Sequence, residues 1–179
     1  MRNFLSTAAI LLAGTAMADG INIEVAGEAN GTIKIDLMED LAPQHVARIK
    51  ELAESGQYDG VVFHRVIDGF MAQTGDVEFG KQDGDIAAAG RGGSDKPDLP
   101  AEFSNVPYER GVVGMARSQS PNSANSQFFI MFSPGHFLNG QYTVYGRVID
   151  GMDLVDGIVK GEPPANPDRM ISVKVAADA

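Results

Sequence analysis

Cysteine is absent from all 179 residues. That excludes disulfides, a thiolate nucleophile and any Cys-ligated metal. It leaves the compartment open, since export to an oxidising space does not require cysteine. Positive charge is scarce, with 14 Lys and Arg against 24 Asp and Glu. A chain of formal net charge −10 has no general attraction for nucleic acid or for an anionic membrane. Histidine occurs three times, at His45, His64 and His136, and never with metal-ligand spacing. His45 falls in a helical segment and is expected at the surface. His64 falls mid-strand, where a hydrogen-bonded structural role outweighs a catalytic one. There is no G-x-S-x-G elbow. "AGRGGSD" (Ala89–Asp95) lacks the Lys-Ser/Thr pair of a phosphate loop, and "DGD" (Asp83–Asp85) lacks the later ligands of a calcium loop. Neither a metal nor a cofactor is expected.

Long apolar runs are also missing, apart from the opening "MRNFLSTAAILLAGTAMADG". Arg2 supplies a positive start. Phe4 to Ala13 is apolar except for Ser6 and Thr7, and "AMA" (Ala16–Ala18) is a small-x-small cleavage site. The run is short of the roughly 20 residues a spanning helix needs. Residues 1–18 therefore read as a secretory signal cut after Ala18. Residues 19–179 read as one domain with enough chain for a real core. Loss of Arg2 makes the mature chain one unit more negative. The expected product is exported and free of the membrane after cleavage. A bacterial periplasm suits a small acidic chain with a simple signal and no retention motif, and a monomer is expected.

Short β-type runs recur along that domain. "INIEV" (Ile21–Val25) and "TIKIDL" (Thr32–Leu37) alternate apolar and polar residues around Gly27, Asn30 and Gly31, which predicts a hairpin. Further runs cover Val61–Ile67, Phe70–Gln73, Gly111–Ala116, Ser126–Phe132, Thr143–Ile149 and Ile171–Val175. Two segments break the pattern. "APQHVARIKELAESG" places Val46, Ile49, Leu52 and Ala53 at helical spacing, with Pro43 fit for the first turn and Gly56 for the end. "DGMDLVDGIVKG" places Met152, Val155 and Ile158 on one face, with Asp150 as the expected N-cap. Eight strands with only two helices do not make a doubly wound α/β fold. They predict a mainly β chain, a closed antiparallel barrel capped by two α-helices. Residues 76–110 read as a long surface loop, and 161–168 as a second loop before the last strand.

One stretch sets a charge among apolar residues. "FHRVIDGFMAQTGD" (Phe63–Asp76) places Arg65 and Gln73 beside Phe, Val, Ile and Met. A guanidinium there is costly unless something holds or uses it. Two other stretches mix large apolar and amide side chains in the same way. "MARSQSPNSANSQFFIMF" (Met115–Phe132) carries Gln127, Phe128 and Phe129, and "GHFLNGQYTVYGRV" (Gly135–Val148) carries Phe137, Leu138 and Tyr142. Together, in this order, the three stretches resemble the cyclophilin family of peptidyl-prolyl cis-trans isomerases. The resemblance covers nearly all of residues 20–176. It implies an eight-stranded antiparallel barrel with two helices, and activity on proline-containing polypeptides without a cofactor. By motif position it makes Arg65 the catalytic arginine. Phe70, Met71, Phe129 and Leu138 would hold the proline ring. Gln73, Gln127 and the backbone at Ala116 and Arg117 would hold the peptide, and Phe137 and Tyr142 would line the rim.

The chemistry that such a site needs follows from the amide bond. Rotation about X–Pro is slow because the amide is conjugated, with a barrier of roughly 18–20 kcal/mol. Midway, the nitrogen is pyramidal and accepts a hydrogen bond. A permanently charged donor aimed at it binds the twisted state better than either planar one. One expectation is awkward. An ideal two-residue hairpin at Asp68-Gly69 would set Arg65 opposite Ala72, with Gln73 facing away, so a shared site demands irregular backbone near Asp68–Met71. Two departures from the family stand out. Many members carry Trp where this chain has Phe137 and His where it has Tyr142, so weak cyclosporin binding is expected. The alternatives are a cyclophilin-like binding module without turnover, and a barrel carrying a small apolar ligand. Arg65 argues against the first, and large inward-facing residues against the second.

Overall fold

A computed structural model describes residues 19–177. The signal segment 1–18 expected from the sequence lies outside the described residues. Eight strands occur: β1 (Asp19–Ala26), β2 (Gly31–Leu37), β3 (Arg65–Ile67), β4 (Met71–Thr74), β5 (Val112–Met115), β6 (Phe128–Met131), β7 (Val144–Asp150) and β8 (Arg169–Ala177). Two helices, α1 (Pro43–Glu54) and α2 (Met152–Asp156), and a 3-10 turn (His136–Leu138) complete the elements among the described residues. The strands form one antiparallel sheet in the order β3-β4-β6-β5-β7-β2-β1-β8.

The sheet curls but its ladder does not close. β3 and β8 are edges, so the molecule is an open half-barrel rather than the closed barrel expected. The reason lies in Val61–His64, which was expected to extend β3. These residues stay irregular and meet β8 at a single bridge, Val62 with Arg169. Ile21, Ile23, Ile33, Ile35, Phe128, Ile130 and Tyr145 fill the concave face, each fully buried. That dense interior removes the case for a hollow carrier.

Helix α1 starts at Pro43, as the sequence suggested, and Gly56 follows its end with φ +68°, a conformation glycine adopts cheaply. Its N-cap, Ala42, has no side-chain oxygen to offer. Glu102 supplies one from far along the chain. Its carboxylate accepts the N–H groups of Gln44 (3.2 Å) and His45 (3.1 Å) and lies 2.6 Å from His45 Nδ1. His45 is therefore fully buried, not at the surface as expected. Burial lowers its pKa, outweighing the pull of Glu102. Burial would raise the Glu102 carboxyl, but the His45 ring and the two amides hold it below its ordinary value.

α2 differs from expectation at its start. Asp150 ends β7, and Gly151 caps the helix at φ +88°. A Cβ at Gly151 would sit 2.6 Å from the Thr32 carbonyl, so only glycine makes this sharp exit against β2. The segment 76–110 is not purely surface loop either. Leu99 and Tyr108 are buried, and Leu99 bridges Ala124.

Candidate active site

The site is built on one row across the sheet. Arg65 pairs with Gln73, Gln73 with Phe129, and Phe129 with Gly114. Side chains alternate along a strand, so this row shares one face. The adjoining row of Val66, Ala72, Ile130 and Val113 points into the core. The convex face of β3, β4, β6 and β5 thus carries the functional side chains.

The register comes from the β3–β4 turn. Ile67 opposes Met71, so the loop has three residues, Asp68, Gly69 and Phe70, where two were expected. The Phe70 N–H donates to the Ile67 carbonyl at 3.0 Å, and Gly69 takes φ +69°. One extra residue flips the parity of the hairpin. Arg65 and Gln73 face each other without any bulge within the β3–β4 ladder.

A cavity of about 240 Å³ opens beside this row. Met71, Phe129 and Leu138 form its buried floor. Phe129 stacks on Tyr108 with ring centres 5.7 Å apart. Phe70 and Tyr142 form walls, Tyr142 edge-on to Phe129 at 5.9 Å. The 3-10 turn points Leu138 inward and leaves Phe137 at the rim, 72% exposed and 5.5 Å from Phe70. Ala116 and Arg117 complete the lining. The Ala116 N–H is already bonded to the Gln127 carbonyl (2.9 Å). Arg117 lies 4.3 Å over the Tyr142 ring and donates to the carbonyls of Gln141, Ser118 and Gln119. It ties two loops together rather than presenting a free cation. Gln127 does not line this cavity. It lines an adjoining one of about 190 Å³, bounded also by Gly90–Gly92, Ser123 and Asn125.

Arg65 stands at the mouth of the apolar cavity. Its Nη1 donates to Gln73 Oε1 at 3.3 Å, and its Nε lies 3.3 Å from Glu162 Oε1. Glu162 was not anticipated, since it sits in a Gly/Pro-rich loop with no catalytic pattern. The fold delivers it: the N–H and C=O of Gly161 both pair with Val66, at 2.9 and 2.8 Å, drawing the loop against β3. Beyond Gln73 the bonds continue. Gln73 Nε2 donates to Gln127 Oε1 (3.0 Å), and Gln127 Nε2 to the Gly92 carbonyl (2.8 Å). His64 lies behind the row, buried, with its ring close to the Gln127 side chain and the Val62 backbone but in well-aligned hydrogen bonds with neither. Burial lowers its pKa despite the nearby Asp76 carboxylate.

A half-exposed guanidinium at the lip of an apolar pocket, with no Ser, Thr, His, Lys, Asp or Glu lining that pocket among the described residues, suits a reaction in which no bond is made or broken. Known proteins agree in class. Residues 21–175 match the family described as "Cyclophilin type peptidyl-prolyl cis-trans isomerase/CLD", and the chain belongs to that family. It is an enzyme of the peptidyl-prolyl cis-trans isomerase type. A Brucella suis protein named "Probable peptidyl-prolyl cis-trans isomerase" is 58% identical over 168 residues, covering 90% of this chain and 86% of that one. An Acinetobacter baylyi peptidyl-prolyl cis-trans isomerase is 34% identical, covering 81% and 80%. Cyclophilin AquaCyp293 from Hirschia baltica superimposes with a TM-score of 0.72 at 30% identity, over 86% of this chain and 72% of that one. A Cryptosporidium parvum cyclophilin, crystallised in the presence of the dipeptide Ala-Pro, gives 0.75 at 27% identity, over 89% and 99%.

Proposed function

We propose that Arg65 drives rotation of X–Pro bonds by hydrogen bonding to the prolyl nitrogen as it pyramidalises. The observation that carries this is the state of the guanidinium. Gln73 and Glu162 hold its Nη1 and Nε edges, and Nη2 has no partner among the described residues. Arg65 itself lines the cavity floored by Met71, Phe129 and Leu138, where a proline ring would be fixed while the carbonyl side turns. One charged hydrogen bond made only in the twisted state is worth about 1.5–3 kcal/mol, roughly ten- to a hundredfold in rate. Positioning and desolvation in the apolar cavity supply the remainder.

The substrates under this reading are proline-containing segments of unfolded or flexible chains in an exported compartment, the periplasm of a bacterium. The signal-like residues 1–18 support the location, and the Ala-Pro dipeptide used with the Cryptosporidium relative supports the substrate class. Prolyl isomerisation limits folding on a scale of tens of seconds, so a catalyst is useful where chains arrive unfolded. The enzyme acts as a monomer and binds cyclosporin weakly.

The test compares residues 19–179 with the Arg65→Ala variant in cis-to-trans relaxation of an Ala-Pro test peptide. Acceleration by the parent, lost in a variant of unchanged circular dichroism, is the expected result. Equal acceleration by both would remove Arg65 from the mechanism. Saturable binding by the parent without acceleration would favour a binding module.

A further inference from the structure

A fully buried carboxylate sits behind the active-site row and does not touch the cavity. Asp76 is fully buried. Its Oδ1 accepts the N–H groups of Glu78 (3.0 Å) and Phe79 (2.9 Å), and its Oδ2 those of Gly90 (2.7 Å) and Gly92 (2.9 Å). All four lone-pair positions of the carboxylate are occupied. Segment 76–92 is folded around this one side chain. Gly92 is packed so closely that an added Cβ would lie 2.5 Å from Asp76 Oδ1 and 2.7 Å from the Glu78 Cβ. Gly92 is therefore held in place by its N–H and by close packing at its Cα, and its carbonyl meets Gln127.

The consequence reaches Arg65 through the sense of two amides. The Gly92 carbonyl can only accept a hydrogen bond, so Gln127 must turn its NH2 toward it. The Gln127 oxygen then faces Gln73, so Gln73 must donate with its own NH2. That leaves the Gln73 oxygen facing Arg65, which can only donate. Had Gln73 the opposite sense, its NH2 would confront the guanidinium and turn it aside. We infer that Asp76 and the Gly92 carbonyl, neither of which lines the apolar cavity, set the orientation of the Arg65 guanidinium through the Gln127–Gln73 pair. Asp76 is a positioning residue. It governs how well the arginine meets the twisted amide, not how tightly the peptide binds. This rests on the role proposed above for Arg65.

The experiment is a double-mutant cycle read by exchange spectroscopy on the enzyme with saturating Ala-Pro peptide, which separates the on-enzyme rotation rate from Kd. Asp76→Asn leaves two backbone donors facing an amide NH2, so the loop must shift. Rotation should slow about tenfold, the size of one misdirected charged hydrogen bond, with Kd within about twofold. The Arg65 Nε–Hε order parameter in the free enzyme should fall as well. In an Arg65→Lys background, where the planar fork is gone, Asp76→Asn should slow rotation less than about twofold, because neighbours acting through one group are not additive. If Asp76→Asn does not fold, Gln127→Met breaks the same chain without disturbing the buried carboxylate and carries the same cycle. Equal slowing in both backgrounds, or slowing through Kd alone, would overturn the inference. A slow Arg65→Lys beside an Asp76→Asn that rotates at the parent rate overturns this inference and leaves the Arg65 mechanism standing. An Arg65→Lys as fast as the parent overturns both.

Discussion

Gly114 has no side chain, and the pocket depends on that. It lies in β5 directly across from Phe129. An added Cβ would come 2.7 Å from Phe129 Cζ and 2.8 Å from Tyr108 Cε1, with the Tyr108 hydroxyl closer still. Carbon atoms pack best at about 3.5–4.0 Å, so Gly114→Ala overlaps both rings by roughly 1 Å. Tyr108 is fully buried and stacked on Phe129. Phe129 is the ring with free space, and that space is the cavity. Overpacking of this kind costs about 1–3 kcal/mol, which leaves a folded protein. The effect on catalysis is larger than this cost suggests, since a displacement of about 1 Å at a positioned site can lower the rate on the order of a hundredfold. Gly60→Ala is the control. Gly60 has φ +78° and nothing within 4 Å of an added Cβ, so alanine there costs about 1–2 kcal/mol through backbone strain alone. Urea unfolding measures both stability changes, and the peptide assay measures both activities. Similar destabilisation with at least a tenfold loss of kcat/KM in Gly114→Ala alone is the expected outcome. Parent activity in Gly114→Ala, or an equal loss in Gly60→Ala, would refute the claim that Phe129 sets the shape of the pocket.

Glu102→Ala should destabilise the fold by about 2–4 kcal/mol in urea unfolding, because it strips two N–H acceptors from the start of α1 and leaves His45 Nδ1 buried without a partner. Stability should also fall on mild acidification. His45 and His64 are lowered by burial, so the unfolded chain takes up protons first. Their contribution is constant above about pH 7 and is lost as pH drops below about 6.5, the ordinary histidine value. The lowered Glu102 carboxyl adds a further loss nearer pH 4 and below, of the same sign. A urea midpoint that rises between about pH 7 and 5 would contradict this. Phe137→Trp adds an indole N–H donor at the exposed rim, and should tighten cyclosporin inhibition measured in the peptide assay. Nanomolar inhibition of the parent would sink the expectation of weak binding.

Much of the architecture is written in local pattern. The alternation in Ile21–Val25 and Thr32–Leu37 predicts the β1–β2 hairpin found, because one face of each strand meets the core and the other meets water. Pro43 and Gly56 bracket α1 because their backbone preferences suit the two ends of a helix. By contrast, "FFIM" in β6 is buried at every position. Its Phe128 and Ile130 enter the core, while Phe129 and Met131 join the pocket cluster. A strand covered on both faces carries no alternation, so nothing local says which phenylalanine serves the site.

The remaining features depend on partners distant in sequence. Glu102 reaches α1 across 57 residues, and that contact buries a histidine whose own helix pattern placed it outside. Glu162 reaches Arg65 only because Gly161 bridges β3. Asp76 is one more acidic residue among 24 in the sequence, until four backbone amides converge on it. The sequence by itself determined the strand and helix inventory and the acidic, cysteine-free chemistry, since each follows from local preference or from composition, whereas the residues around the pocket were legible only through the order of motifs shared with the cyclophilins. The tertiary structure alone decided the three-residue turn that sets Arg65 opposite Gln73, the open edge between β3 and β8, and the polar chain behind the arginine. Strand register, sheet closure and the sense of an amide are fixed by which groups meet across the fold, and no residue carries that information alone.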